Sequence, residues 1–139
     1  MILAAPAVIL TAAVTLLAVL LAFWTGLRVA RVRRRVGIAP PAVSGAPELE
    51  CALRVQGNTV EQFVVFLPSL WLAALYFQGW LPPLIGLVWC LGRVAYALGY
   101  RADNPGGRYP GFALTALATV LLAILAGIGI VNAWLVAGA

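Results

Sequence analysis

The sequence predicts an all-α integral membrane protein, a single domain over residues 1–139 folded as a four-transmembrane-helix bundle. Three observations carry this prediction. First, 64% of the 139 residues are hydrophobic and 9% are charged, with mean hydropathy +1.04, whereas a soluble domain is about a quarter charged. Second, four long apolar stretches alternate with three short segments of turn formers or charge. Third, the net charge of +5 comes from nine arginines, no lysine and four acids, and the arginines stand beside the apolar stretches. Arginine in that position marks membrane topology and contact with anionic lipid. No basic groove interleaved with aromatics is present, which weighs against a nucleic-acid partner.

The first helix is expected over residues 2–27, an uncharged run long enough to cross a hydrocarbon layer of about 30 Å at 1.5 Å per residue. A cleavable signal peptide carries its positive charge before the apolar core. Here Arg28, Arg31, Arg33, Arg34 and Arg35 all follow it, so the span reads as retained, with its N-terminus outside. Residues 36–48 hold Pro40, Pro41, Gly45 and Pro47 and form the first loop. The second helix is expected over 47–77. Glu48 and Glu50 suit its first turn, facing the positive end of the dipole, and Pro68 removes a hydrogen bond to the Val64 carbonyl and predicts a kink. After a tight uncharged connection around Gln78 to Pro83, the third helix is expected over 82–101, with Pro82 and Pro83 in its first turn. The stretch ADNPGGRYPG, 102–111, reads as a loop, and the fourth helix covers 111–136. Thr119, Ala123 and Gly127 repeat small residues every four positions there, a pattern that allows close helix contact.

All nine arginines fall on the first and third loops with their helix ends. The positive-inside rule therefore places both basic loops in the cytoplasm and both termini outside. It also brings two polar faces to the same depth. Arg54, Asn58 and Glu61 are spaced i, i+4, i+7 on the second helix, and Arg93, Tyr96 and Tyr100 are spaced i, i+3, i+7 on the third. A charge within the bilayer costs about 2.5–3.5 kcal/mol on insertion scales, so Glu61 and Arg93 need partners. Either Glu61 pairs with Arg93 or Arg54 and fastens the helices, or the faces bind a ligand. The count of cations favours the ligand: Arg54, Arg93, Arg101 and Arg108 stand against Glu61 and Asp103, which suits an anionic molecule whose amine or amide groups use Glu61. Tyr96 and Tyr100 are either interfacial belt residues or ligand contacts. Trp71, Trp80, Trp89 and Trp134 read as belt or packing residues. Cys51 and Cys90 lack CxxC spacing and the chain has no histidine, so no metal site is expected and both cysteines read as apolar packing. No Ser/His/Asp set for hydrolysis is present.

The segment RVQGNTVE opening the second helix and RVAYALGY closing the third resemble the MAPEG family, the membrane-associated proteins in eicosanoid and glutathione metabolism. The likeness covers essentially the whole chain, and the absence of lysine with the Ala/Arg/Gly/Pro bias resembles a bacterial member, implying the inner membrane. The resemblance implies a homotrimer with glutathione as co-substrate, no metal, and sites between neighbouring protomers on the cytoplasmic side. In such a site Arg54, Asn58 and Glu61 would bind the charged ends and peptide groups of glutathione. Gln62 stands where several family enzymes carry a tyrosine and joins that set. Arg93, Tyr96 and Tyr100 would come from the adjacent subunit, with Tyr96 near the sulfur. Arg33 stands where the family uses a first-loop arginine for a glutathione carboxylate, with Arg31 or Arg34 able to serve. Arg108 is the nearest match to the arginine that activates the thiol. The implied function is a membrane-bound glutathione transferase or peroxidase, activating a thiol for attack on lipophilic electrophiles or lipid hydroperoxides that arrive from the lipid. The alternative on the same fold is a non-catalytic lipid-binding or scaffold protein.

Overall fold

A computed structural model describes residues 6–138. Helix α1 spans Pro6–Val36, α2 Pro47–Leu72, α3 Leu81–Gly99 and α4 Tyr109–Ala137. A π-helical turn, Ala73–Phe77, continues α2, and a 3-10 turn, Pro105–Arg108, precedes α4. Each of the four is long and apolar enough to cross a membrane. The protein is an all-α, multi-pass membrane bundle.

The helix ends show where local chemistry overrides hydropathy. The expected start of α1 at residue 2 lies outside the described residues. Its C-terminal end lies beyond residue 27, because the arginine run continues the helix and sets Arg33, Arg34 and Arg35 in the last turn. Arginine is a good helix former, and cations complement the negative end of the dipole. The first loop is closed by Arg33, whose Nη1 donates to the carbonyls of Ala42 at 2.7 Å and Ile38 at 3.4 Å. An Arg35–Glu48 ion pair ties the end of α1 to the start of α2. Pro68 lies inside α2, and the turn that follows ends at Gln78 and Gly79, both with positive φ. Within the stretch 102–111, the 3-10 turn Pro105–Arg108 leads straight into α4 at Tyr109.

The core runs through the bundle from Val14 and Ala18 of α1 to Ala118, Leu122 and Ala126 of α4. At its centre the rings of Phe66 (α2) and Trp89 (α3) stack 3.8 Å apart, 4° from parallel. Trp71 anchors α2 to α1 by donating Nε1–H to Thr15 Oγ1 at 3.1 Å. Large apolar side chains point outward, among them Phe23, Val64 and Val136; lipid, not water, is the solvent they meet.

Helices α3 and α4 lie closest together, and small residues set that distance. The buried face of α4 is Gly111, Thr115, Ala118, Leu122, Ala126 and Gly129. Ala123 and Gly127, expected in the contact, are exposed instead. The reason is where the neighbours' small residues and backbone lie: a Cβ at Gly92 of α3 would sit 2.8 Å from Thr115 Cγ2, and one at Gly111 would sit 2.6 Å from Tyr96 Cα. The register follows those contacts. This close packing carries Arg93, Tyr96 and Tyr100 against α4 at the arginine-rich end of the bundle.

Candidate functional site

A cavity of about 680 Å³ opens at the arginine-rich end, walled by α2, the end of α3, the start of α4 and the first loop. Six of the residues singled out from the sequence line it: Arg54, Asn58 and Glu61 from α2, Tyr96 and Tyr100 from α3, and Arg108 from the 3-10 turn. Helical spacing presents each α2 and α3 set on one face, and the bundle turns the two faces toward each other. The resemblance implied that the α3 residues come from an adjacent subunit. In the structure a single chain brings all six to one cavity.

Arg108 owes its place to the turn. Asn104 Oδ1 accepts the backbone N–H of Gly107 at 3.2 Å. Gly99 and Gly107 pass so closely that a Cβ at Gly99 would sit 2.8 Å from the Gly107 carbonyl carbon. The Arg108 guanidinium then lies 4.6 Å from the ring centroid of Tyr100 and 5.2 Å from that of Tyr109, a cation held by aromatic faces. Tyr100 in turn meets Tyr96 edge-on at 5.9 Å.

Asp103 is not a partner of Arg108. It accepts both Nε and Nη2 of Arg101, at 3.0 and 2.6 Å. That hydrogen bonding holds the Asp103 carboxyl below its ordinary range and raises Arg101 above its own. The ion pairs among the described residues are Arg35–Glu48 and Arg101–Asp103. Arg54, Glu61 and Arg108 take part in neither.

Arg93 departs from the expectation. It is buried, 2% exposed, and forms no part of the cavity wall. Neither Arg93 nor Arg54 pairs with Glu61; Arg93 Nη1 donates to Asn58 Oδ1 at 3.0 Å and its Nη2 to Thr115 Oγ1 at 3.3 Å. Its charge also faces the Tyr96 ring, 4.3 Å from the centroid. Gln62 is half-buried and lies off the cavity wall, as does Arg33, which is engaged in the first loop.

Sequence reasoning missed Glu50, Tyr109 and Phe112, which also line the cavity. Glu50 stands one turn before Arg54, so the same periodicity points to it. Tyr109 and Phe112 belong to the first turn of α4; Tyr109 falls in the stretch that the sequence presents as loop, and Phe112 just inside the expected fourth helix. With Glu50 included, the charges on the wall balance, Arg54 and Arg108 against Glu50 and Glu61. The cation surplus inferred from the sequence resides in Arg93, behind the wall. A cavity with separated donors and acceptors matches a zwitterion better than a simple anion. Arg108, between aromatic rings, is placed to stabilise a developing or formed anion such as a thiolate.

The MAPEG family model matches residues 11–128. Human microsomal glutathione S-transferase 2 is 37% identical over 127 residues, covering 91% of this chain and 86% of that protein. Leukotriene C4 synthase of Cavia porcellus is 40% identical over 132 residues, covering 95% and 87%. An uncharacterised protein of Synechocystis is 42% identical over 113 residues, covering 81% and 82%.

Proposed function

The chain belongs to the MAPEG family, and on that premise we propose that it is a glutathione transferase or peroxidase of the membrane, with glutathione bound in the cavity at its arginine-rich end. The observation that carries the proposal is the convergence of Arg54, Asn58, Glu61, Tyr96, Tyr100 and Arg108 on one cavity. Glutathione has two carboxylates, one ammonium, two peptide groups and a thiol, a set that requires separated cations, an acid and amide partners. Arg54 takes a carboxylate, Glu61 takes the ammonium, and Asn58 meets a peptide or carboxylate oxygen.

At neutral pH only a few per cent of an ordinary thiol is thiolate. The Arg108 guanidinium beside the sulfur favours the charged form, and the Tyr96 hydroxyl donates a hydrogen bond to it. The thiolate then attacks an electrophilic carbon, with the electron pair of the broken bond leaving on the departing group. Alternatively it attacks the distal oxygen of a hydroperoxide, giving a sulfenic acid and an alcohol; a second glutathione converts the sulfenic acid to the disulfide and water. The lipophilic substrate reaches the site from the bilayer while glutathione enters from the cytoplasm, so each phase supplies one reactant. The protein works as a homotrimer in a bacterial inner membrane, with the arginine-rich loops in the cytoplasm.

The test is glutathione conjugation to a lipophilic chloronitroarene by the purified protein, compared with Arg108→Ala. Raising the thiolate fraction from a few per cent to a majority is worth about tenfold or more in rate, so the variant is expected to lose at least that factor in kcat/KM. Turnover equal to wild type in Arg108→Ala contradicts the assigned role. A folded wild type without turnover toward electrophiles or hydroperoxides supports the lipid-binding scaffold instead.

A further inference from the structure

The geometry points to Arg93, anchored by Thr115, as a positioning residue that fixes the amide of Asn58 with its NH2 turned to the cavity, so that the ligand group met there is a hydrogen-bond acceptor. A guanidinium has donors only. The Asn58 atom 3.0 Å from Arg93 Nη1 is therefore the carbonyl Oδ1, and the amide can present only its NH2 to a ligand. Among the described residues that NH2 has no hydrogen-bond partner, while Asn58 lines the cavity.

Arg93 is itself held from behind. Its Nη2 donates to Thr115 Oγ1 at 3.3 Å, and the Thr115 hydroxyl is oriented by the α4 carbonyls of Phe112 at 2.9 Å and Gly111 at 3.1 Å. The hydroxyl spends its single hydrogen on that helix and offers a lone pair to the guanidinium. The same cation lies 4.3 Å from the Tyr96 ring centroid. One buried arginine thus links α4 to two residues of the cavity wall without reaching the cavity. Nη1 also lies 3.5 Å from the Asn58 backbone carbonyl, an acceptor that would serve to join helices, but its shorter bond, 3.0 Å, goes to the side chain whose residue lines the cavity.

This inference rests on the reading of the cavity as a glutathione site, where Asn58 meets a peptide or carboxylate oxygen. It makes Thr115, which touches no ligand, a determinant of glutathione affinity. Thr115→Val keeps the shape and removes the acceptor, and Thr115→Ser keeps the acceptor.

The experiment has two readouts. In full-length protein labelled on asparagine side-chain nitrogen, the Asn58 NH2 resonance is assigned by its absence in Asn58→Asp and followed in Thr115→Val without ligand. Glutathione KM and kcat are measured for both threonine variants, in the wild-type and Asn58→Ala backgrounds. The expected result is a shifted Asn58 resonance, a KM raised about tenfold in Thr115→Val, the size of one lost hydrogen bond, with kcat kept, and wild-type behaviour in Thr115→Ser. The rise in KM is expected to vanish in the Asn58→Ala background. An unmoved resonance, or a KM effect that persists in that background, overturns the inference. A shifted resonance in a protein that gives no glutathione turnover supports the positioning of Asn58 and contradicts the glutathione reading, so the two failures are told apart.

Discussion

Arg108 and Asp103 lie in one loop with opposite charges, yet the loop keeps them apart. Asp103 is bound bidentately by Arg101, which leaves the Arg108 cation to the rings of Tyr100 and Tyr109 and to the cavity. The consequence for pH is definite. The folded-state pKa of Asp103 lies below its ordinary value of 3.8, so the pair's contribution is full above that value and is lost only as pH falls through the depressed one. Carbon NMR of Asp103 is expected to give a midpoint below 3.8, and no activity change near neutral pH belongs to this carboxylate. The same pairing explains what was hidden at the level of residues. Spacing along one helix identified Arg54, Asn58 and Glu61 as a face, but whether Asp103 pairs with its second or its fifth neighbour depends on turn geometry. Arg93 was legible as polar and deep. That it holds Asn58 rather than ligand depends on Thr115, a residue on another helix that no single-helix pattern singles out.

Among the elements, the contact between α3 and the turn before α4 decides where Arg108 stands. Gly99 and Gly107 meet backbone to backbone, with no room for a Cβ. Gly99→Ala is expected to shift the 3-10 turn and lower turnover at least several-fold while circular dichroism still reports a helical protein; unchanged turnover would show that the turn does not place the guanidinium. Gly111→Ala acts in the first turn of α4, where a Cβ would press on the Tyr96 backbone. Overpacking of this kind costs about 1–3 kcal/mol, to be read as a lower thermal midpoint in detergent. The four spans were legible because apolar length and flanking arginine are properties of single segments. The end of α1 at Val36 and the start of α4 at Tyr109 were less so. Hydropathy reports where lipid ends, and a helix built of arginine continues past that plane. The contact face of α4 was misjudged for a related reason: Gly127 has open space around it, and the choice of Gly111 and Gly129 is made by the glycine and backbone they meet.

For the molecule as a whole, the reading requires one orientation and one chemistry. With the arginine-rich loops in the cytoplasm, alkaline phosphatase fused after Ala137 is expected to be active and a green fluorescent protein fused there dark; the reverse pattern would put the cavity on the wrong side for cytoplasmic glutathione. Membrane residence, the four-helix bundle and the polar end of the second and third helices all follow from composition and spacing. Their meeting in one cavity within a single chain is a matter of packing, and it gives the chemistry its place. The measurement that bears on it most directly is ultraviolet difference absorption as glutathione is added to the detergent-solubilised protein, with Arg108→Ala alongside. A saturable thiolate band in the wild type, absent from a variant with the same fold, is the predicted result. A folded wild type with no band, or a band that survives the substitution, would contradict thiol activation by Arg108.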